Sequence, residues 1–343
     1  MHPTETQMLR EIREIPVVTE RQVRDGGRIY LEEARRLKRE APRFLVSCAR
    51  GSSDHAVTFF KYLVETRIGI PVASVGPSVA SIYRAKLDFR DGVLITVSQS
   101  GGSPDLVRLQ ERASEGGART IAVLNVTDSP VGRAAGAVLP MLAGPEKAVA
   151  ATKSFVASLV ALLSVAAYWS EDHALIDALA SLPDNLAKAL DCDWSAAAFP
   201  VTAAHSLYTI ARGHGLGIAG EAALKLKETC RLHAESYSAA EVLHGPIALA
   251  RDRFVAIVFS NGDDTEGSIS DTVRRLAAAG ARVFVAGRPI AGAHALPVVT
   301  TPHVLLQPIC HVASFYRFAE ALSISLGENP DAPILLKKVT ETT

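Results

Sequence analysis

The segment Gly92–Ala113 reads GVLITVSQSGGSPDLVRLQERA and predicts one strand, one loop and one helix in succession. The apolar run from Val93 to Val97 is typical of a buried strand. The loop SQSGGS follows at once, and the helix is expected to begin with Ser103 as its N-cap and Pro104 at its first position. A buried strand that leads through a small-residue loop into a helix is the repeating piece of a parallel α/β sheet.

The same piece occurs on both sides of this segment. The stretch PRFLVSCARGSSDHAVTFFKYLVE predicts a strand at Phe44–Ala49 and a helix at Asp54–Glu65, with Ser52 or Ser53 as the N-cap. A third strand is expected at Thr120–Asn125, again followed by a Ser-Pro helix start. Strands and helices that alternate in this way predict a parallel sheet with helices on both faces.

The two serine-rich loops are expected at the carboxyl ends of adjacent strands, where open α/β sheets bind ligands. Free backbone N–H groups, two positive helix ends and several hydroxyls are suited to an anion, above all a phosphate. Neither loop has the glycine pattern of a nucleotide-binding motif. Helix capping is the simpler interpretation of one such loop, but two on neighbouring strands favour a phosphate site. The candidate residues are Gly51, Ser52 and Ser53 in one loop, and Ser98, Gln99, Ser100 and Ser103 in the other.

The pattern returns 162 residues later in the chain. IARGHGLGIAGEAALKLKE is similar to CARGSSDHAVTFFKYL, and FVAIVFSNGDDTEGS is similar to GVLITVSQSGGSPD. Arg212 follows Arg50, and Ser260 follows Ser98, at this same interval, which indicates a duplicated domain. The second copy carries Asp263-Asp264 where the first copy is rich in serine, and this acidic pair would repel a phosphate. We therefore expect phosphate binding in the first copy.

The segment Gly220–Pro246, GEAALKLKETCRLHAESYSAAEVLHGP, concentrates four glutamates and two histidines. Its first part predicts a helix, which places Glu221 and Glu228 on one face with Lys225 between them. A solvated helix face held by ion pairs is the simpler interpretation. Carboxylates and histidines that follow one another in one short span are, however, the groups that move protons near neutral pH.

Composition limits the class of protein. The chain has 343 residues, of which 48% are hydrophobic, so it can bury a sizeable core and its length favours two domains. Its 36 basic and 36 acidic side chains balance, which predicts no nucleic-acid partner and no membrane partner. The apolar runs are expected to be too short to span a bilayer, and the N-terminal residues do not resemble a signal peptide, so a cytoplasmic protein is predicted. The cysteines lack metal-binding spacing and predict reduced thiols in the core; they are Cys48, Cys192, Cys230 and Cys310.

Together these motifs resemble the SIS (sugar isomerase) domain family, in particular the isomerase half of glutamine–fructose-6-phosphate aminotransferase. The resemblance extends from about residue 8 to Thr340 and is carried by ARGSS, SQSGGSPD, GPEKAVAATKSF, the segment Gly220–Pro246 and DAPILLKKVT. It implies an α/β fold of two flavodoxin-like SIS domains in tandem, each a parallel sheet flanked by helices. The expected division is an N-terminal helical segment (1–28), a first SIS domain (29–170), a helical connector (171–198), a second SIS domain (199–328) and a tail (329–343).

The resemblance also implies a hexose or hexosamine 6-phosphate as substrate, with no metal and no organic cofactor. Glu228 matches the base that moves a proton between C1 and C2 of the sugar. His244 matches the ring-opening histidine, which in the family reaches in from the neighbouring subunit of a homodimer. Lys338 matches the active-site lysine of the C-terminal tail. The serine loops match the contacts to phosphate and sugar hydroxyls, and Val149 and Ala150 match backbone contacts to the sugar.

The chain departs from the family pattern at several positions. Ala151 replaces a hydroxyl residue, and Gly102 replaces an acid that is common after SQSG; both bear on how the substrate fits. The tail lysine is aligned as Lys338 because this residue directly precedes Val-Thr, and Lys337 is the alternative. The aminotransferase has a glutaminase domain that begins with a cysteine after Met, whereas here His2 follows Met1. Use of glutamine is therefore not expected.

Single-unit members of the family are similar to the deaminases that convert glucosamine 6-phosphate into fructose 6-phosphate and ammonia, and this activity is the one predicted. Two alternatives in the same enzyme class are aldose–ketose isomerisation and ammonia-dependent synthesis of glucosamine 6-phosphate. A further alternative is a non-catalytic phosphosugar sensor. The presence of Glu228, His244 and Lys338 together favours an enzyme over the sensor.

Overall fold

The protein is described by a computed structural model that covers residues 5–338. Within this range the chain forms two five-stranded sheets in which all paired strands are parallel. It divides into two compact units, one around each sheet. The first-sheet unit consists of Val17–Glu146, Lys153–Ala180 and the chain from Lys337; the second-sheet unit consists of the chain up to Pro16, Lys147–Thr152 and Ser181–Leu336.

Short helices precede the first strand. They are α1 (Gln7–Arg13), α2 (Ile15–Arg21), a π-helical turn (Gln22–Gly26) and α3 (Gly27–Glu40). The hydroxyl of Thr6 caps α1, since it accepts the backbone N–H of Leu9 at 3.0 Å. Pro16 lies in the first turn of α2, where a missing N–H costs nothing because that group has no partner within the helix.

The first sheet follows the predicted alternation of strands and helices. Its strands are β1 (Phe44–Cys48), β2 (Val72–Ser74), β3 (Gly92–Ser98), β4 (Arg119–Leu124) and β5 (Ala137–Pro140), and its helices are α4 (Ser52–Arg67), α5 (Ser78–Ser81), α6 (Pro104–Glu115), α7 (Pro130–Ala134) and α8 (Lys153–Ser170). The strand order is β2-β1-β3-β4-β5, which is the flavodoxin order. The three predicted strands are confirmed, with ends that differ by one residue.

Helix α8 forms part of the core of the first-sheet unit, where it packs against α3 and α4. With 18 residues and a mean hydropathy of 1.4, it is long and apolar enough to cross a membrane. The prediction that every apolar run is too short was therefore wrong. However, 89% of this helix is buried inside the structure, and a helix covered on all sides is apolar all round for that reason alone.

The second sheet repeats the first. It is preceded by a connector that consists of α9 (His173–Leu179), α10 (Leu182–Leu190), a 3₁₀ turn (Ser195–Ala197) and α11 (Ala198–Ala203). The strands of the second sheet are β6 (Ser206–Ala211), β7 (Ala234–Ser238), β8 (Phe254–Phe259), β9 (Arg282–Ala286) and β10 (His294–Leu296). Its helices are α12 (Leu216–Cys230), α13 (Glu266–Ala278) and α14 (Gln307–Ser325). The order β10-β9-β8-β6-β7 is the flavodoxin order again. Strands β6, β7 and β8 each begin 162 positions after β1, β2 and β3, which confirms the duplication.

Three of the four cysteines are buried, as predicted, whereas Cys192 is half-buried, and all four are free thiols. Burial raises the pKa of Cys48 and of Cys310 to about 12, and that of Cys230 to about 11. These thiols therefore stay protonated at neutral pH and behave as small apolar residues.

One buried histidine makes the stability of the protein depend on pH. His311 in α14 is 1% exposed, and burial lowers its pKa from 6.5 to about 3. Above pH 6.5 the histidine is neutral in both the folded and the unfolded chain, so it has no effect. Below pH 6.5 the unfolded chain binds a proton that the folded chain does not bind. We expect the free energy of unfolding to fall by about 1.4 kcal/mol per pH unit from this group.

Urea unfolding at pH 7.5 and pH 5.5 measures this effect. In the wild type, the free energy of unfolding should be lower at pH 5.5 than at pH 7.5. In a His311→Gln variant, this decrease should be smaller by the contribution of the one proton that His311 binds in the unfolded chain. His173→Gln is the matched control, because His173 is exposed on the surface of the connector. An equal decrease of the free energy of unfolding in the wild type and in His311→Gln would contradict the prediction.

Candidate active site

The two serine loops lie side by side in the first-sheet unit. Strands β1 and β3 are paired in parallel, with Cys48 opposite Thr96, so the loops that follow them leave the same edge of the sheet. The strand order reverses between these two strands, because β2 lies beyond β1 while β4 and β5 lie beyond β3. Such a switch point is where doubly wound sheets bind ligands.

Ser98 shapes the loop after β3. Its side chain is buried at 7% exposure, and its Oγ accepts the N–H of Gly101 at 3.0 Å. Gly101 has a φ of +60°, and a Cβ added there would lie 2.1 Å from the hydroxyl of Ser129. Only glycine fits this position, so the loop has one defined path from the strand to the helix.

Ser100 and Ser103 are the hydroxyl groups of this loop that stay partly exposed. The Oγ of Ser100 accepts one long bond, from the N–H of Gly102 at 3.3 Å. Ser103 stands at the N-cap of α6, as predicted, but its side chain makes no capping bond. The predicted cap position is therefore confirmed, but the hydroxyl of Ser103 does not cap the helix. The N–H of Leu106 donates to Asp105 instead, at 2.9 Å.

The loop after β1 also differs from the capping prediction. Helix α4 begins at Ser52, two residues earlier than expected, and Gly51 is its N-cap with a φ of +54°. Because glycine adopts this backbone conformation readily, the helix starts before either serine can act as a cap. Ser52 and Ser53 lie in the first turn of α4 and are half-buried.

An ion pair joins the two loops. The guanidinium of Arg50, after β1, donates to Asp105 in the first turn of α6 at 3.0 Å. Asp105 is buried, whereas the side chain of Arg50 is 49% exposed, so its positive charge faces solvent near two helix N-termini. Burial raises the pKa of Asp54 above its ordinary value, and Arg50 works against that rise. The charges here suit an anionic ligand.

Lys338, the last residue that the structure describes, is held in the same unit by Glu146. The two side chains are 2.9 Å apart, and Glu146 is fully buried while Lys338 is 24% exposed. The same carboxylate accepts the backbone N–H and the hydroxyl of Ser154, at 3.0 and 2.6 Å. Glu146 therefore ties the tail lysine to the start of α8. The Val-Thr pair that defined the lysine's alignment lies outside the described residues.

A buried chain of polar groups leads to Glu228 in the second-sheet unit. The hydroxyl of Tyr316 in α14 donates to Glu221 at 2.7 Å, and the ammonium of Lys225 lies 3.6 Å from that same carboxylate. Lys225 also makes a salt bridge with Glu228. Glu221 and Lys225 are fully buried, so the interpretation of this face as solvated was wrong.

Glu228 is the member of this chain that reaches the surface, with 23% of its side chain exposed. The salt bridge with Lys225 fixes the direction of its carboxylate, while Lys225 is itself held by Glu221 on the preceding turn. A carboxylate that is oriented and partly open to solvent can accept a proton from a bound molecule.

His244 is exposed and ends a 3₁₀ turn, Glu241–His244, beyond the edge strand β7. Gly245, which follows it, has a φ of +141°, a conformation that reverses the chain at little cost only for glycine. Glu235 in β7 already accepts a hydrogen bond from Tyr237 at 2.9 Å. His244 thus lies on an exposed turn together with Glu241, whereas Glu235 is engaged within the sheet.

Val149 and Ala150 belong to the short segment Lys147–Thr152 of the second-sheet unit. The N–H of Val149 donates to the carbonyl of Asp331 at 3.0 Å. The buried carboxylate of Glu11 in α1 accepts the N–H groups of Lys147 and of Ala148, the latter at 3.2 Å. This segment is therefore fixed from both sides, and Glu11 is a positioning residue that sequence reasoning missed.

The predicted site residues are divided between the two units. The structure places the serine loops and Lys338 in the first-sheet unit, and Glu228, His244, Val149 and Ala150 in the second-sheet unit. Within residues 5–338, no group of three or more side chains of the metal-binding types is found. The residues that sequence reasoning missed, Glu11, Glu146 and Tyr316, each act on a partner far away in the chain.

Comparison with known proteins gives a family match and similar relatives. The profile of the SIS domain matches residues 41–168 and 201–301. A glutamine–fructose-6-phosphate aminotransferase (isomerizing) of Chlorobaculum tepidum is 34% identical over 299 residues, which cover 81% of this chain and 48% of the relative. The chain spans about half the length of the curated relatives it matches.

Two solved structures extend the comparison. A candidate phosphosugar isomerase from Silicibacter pomeroyi DSS-3 superposes with a TM-score of 0.92 and 42% identity, covering 95% of this chain and 100% of that one. The C-terminal domain of glucosamine-fructose-6-phosphate aminotransferase from Francisella tularensis has a TM-score of 0.87 at 23% identity, covering 97% of this chain and 99% of that one. At this lower identity the second match shows the fold alone.

Proposed function

Because the chain belongs to the SIS domain family, we propose that it is a phosphosugar isomerase that deaminates glucosamine 6-phosphate to fructose 6-phosphate and ammonia. The position of Glu228 carries this proposal. Its carboxylate ends a buried chain of polar groups and is the part of that chain open to solvent. The names of the Chlorobaculum and Silicibacter relatives support a sugar phosphate as the substrate.

The serine loops bind the phosphate group in this proposal. Ser100 and Ser103 donate their hydroxyls, and the positive N-terminal end of α6 favours the charge of the same anion. Ser98 holds the loop in shape through its bond from Gly101. Gln99 and the loop after β1 contribute further contacts to the phosphate and to the sugar hydroxyls.

The reaction then needs two proton transfers. His244 opens the pyranose ring, and Glu228 removes the proton from C2 of the open-chain aminosugar. The resulting enolamine takes a proton at C1, which leaves an imine at C2. Water adds to this imine, and ammonia leaves as the C2 ketone of fructose 6-phosphate forms. Lys338 contacts the substrate from the tail, and Val149 and Ala150 contact it through their backbone.

We also propose a cytoplasmic homodimer in which His244 serves the site of the neighbouring subunit. The exposure of His244 on a turn supports this arrangement. Free, mostly buried cysteines are typical of a reducing compartment.

The names of the curated relatives favour one second candidate, the reverse reaction, in which ammonia and fructose 6-phosphate give glucosamine 6-phosphate. Both directions of the reaction use the same residues. The net direction therefore depends on the concentrations of the two sugar phosphates and of ammonia.

A panel of hexose and hexosamine 6-phosphates tests the proposal. We expect the purified chain to release ammonia from glucosamine 6-phosphate and to form fructose 6-phosphate in equal amount. Aldose–ketose conversion of a sugar phosphate without nitrogen, with no ammonia from any hexosamine, would show a plain isomerase instead. Binding of these sugars without any conversion would show a sensor and overturn the proposed chemistry.

A further inference from the structure

A pocket of about 370 Å³ lies in the second-sheet unit, at the carboxyl ends of β8, β9 and β10. Ser260 and Asn261 line it after β8, Arg288 lines it after β9, Thr300 lines it after β10, and Gln307 lines it at the start of α14. This edge is where open α/β sheets bind ligands, and the volume falls within the usual range for small-molecule sites. The residues proposed for catalysis do not line it.

Two neighbouring side chains in this wall are buried and have no hydrogen-bond partner within residues 5–338. They are Ser260, at 2% exposure, through its Oγ, and Asn261, at 6% exposure, through both its Oδ1 and its Nδ2. Gln307, by contrast, already donates to the carbonyl of Val299 at 2.7 Å. Most buried polar groups have a partner, so adjacent ones that lack it in a pocket wall point to a ligand.

The position of Asn261 is fixed by close packing. A Cβ added at Gly215, in the 3₁₀ turn after β6, would lie 2.9 Å from the Nδ2 of Asn261. The loops after β6 and β8 therefore meet at this amide, at the switch point of the second sheet. Ser260 and Asn261 stand 162 positions after Ser98 and Gln99, so they occupy the place that the serine loop has in the first copy.

In the second copy, the loop that corresponds to the serine loop of the first copy carries a carboxylate, that of Asp263. Asp263 accepts the N–H of Thr265, the N-cap of α13, at 3.0 Å, and lies 3.7 Å from His214. Burial raises the pKa of Asp263, but hydrogen bonds from His214 and Thr265 outweigh that effect and leave the pKa below its ordinary value. A negative charge therefore stays where a phosphate would bind, and it disfavours an anionic ligand.

We propose that this pocket binds an uncharged polyhydroxylated molecule of monosaccharide size, held by Ser260 and Asn261. A hydroxyl and a carboxamide supply fixed donors and acceptors, which match the hydroxyl groups of a sugar. The one charged side chain in the described wall, Arg288, is 76% exposed and lies 3.4 Å from Glu266. Val298 and Val304 give the pocket apolar surface for the face of a sugar ring. This site is separate from the proposed catalytic residues and does not depend on their role.

Ligand-observed saturation-transfer NMR on the full chain tests the proposal, with N-acetylglucosamine, glucose and myo-inositol as neutral probes. We expect at least one of them to bind, and we expect its affinity to fall about tenfold in Ser260→Ala and in Asn261→Asp. Ser260→Ala removes a buried hydroxyl without a partner, so its Tm should be equal to or higher than that of the wild type. Weaker binding without lower stability separates a ligand contact from a structural role.

Asn329→Asp is the matched control, because Asn329 is exposed in the same unit and outside the pocket; it should bind the probe like the wild type. Inorganic phosphate and adenosine complete the panel. Unchanged sugar affinity in Ser260→Ala, or no binding of any of the three sugars, would overturn the proposal. Preferential binding of adenosine, or displacement of the sugar by inorganic phosphate, would equally rule out a neutral-sugar site.

Discussion

Replacing Glu228 with glutamine is expected to slow the exchange of the C2 proton of glucosamine 6-phosphate with solvent by about 10²–10⁴-fold. Glutamine has the same shape and can still accept a hydrogen bond from Lys225, but it cannot accept the proton. Lys225 stays paired with Glu221, so the buried chain of polar groups should survive the change. Substrate binding should also persist, because the proposed phosphate contacts lie on other loops. Proton NMR in D₂O measures the exchange, and steady-state assays separate kcat from KM.

Glu241→Gln is the matched control, because Glu241 is an exposed glutamate of the same segment. If the C2 proton exchanged at a near wild-type rate in Glu228→Gln, Glu228 would not be the base, and Glu235, Glu241 or another residue would have that role.

Mixing Glu228→Gln with His244→Ala protein under subunit exchange should restore part of the activity, because one hybrid site would then hold both intact residues. No recovery would contradict the shared site.

The double substitution Ser100→Ala and Ser103→Ala is expected to raise KM for the phosphosugar by about two orders of magnitude, because two hydrogen bonds to a charged group are lost. We expect the fold to tolerate the loss of both hydroxyls. Ser103 makes no capping bond, and Ser100 accepts only one long bond. The value of kcat should change much less, since the proton-transfer residues are untouched.

Ser114→Ala is the control for this experiment, because Ser114 is an exposed serine near the other end of α6. The double variant should keep the Tm of the wild type and bind a sugar without phosphate as the wild type does. A KM within twofold of the wild-type value would refute the phosphate assignment. Ser98→Ala differs in kind, because Ser98 supports the loop backbone and its loss should lower stability as well.

The regular parts of the fold were predictable because their signals are local. An apolar run such as Val93–Val97 marks a buried strand, and an interval of 162 residues between similar motifs marks the duplication. The ends of helices were predicted less well. The sequence alone favours Ser52 or Ser53 as a cap, but the backbone at Gly51 turns left-handed and starts the helix earlier. That conformation depends on how the loop packs, which no local pattern specifies.

The partners of the candidate site residues were harder to predict because they lie far apart in the chain. Lys338 and Glu146 are 192 positions apart, and Glu11 and Ala148 are 137 positions apart. The spacing of Glu221, Lys225 and Glu228 placed them on one face, as the structure shows, but it could not tell a buried face from a solvated one. The deciding element is α14, which contributes Tyr316 and covers that face.

Helix α1 leaves the ribosome long before the helix it packs against. Arg13 at its end and Gln307 at the start of α14 are 294 positions apart, and Thr6 donates to Glu320 of α14 at 2.7 Å in the folded chain. At ~5–20 residues per second, that distance corresponds to roughly 15–60 s of translation. Met8 and Ile12, fully buried in the finished protein, have no α14 to cover them during this time. We therefore expect the hydrogen bonds that Glu11 accepts from Lys147 and Ala148 to become stable only late in the synthesis of the chain.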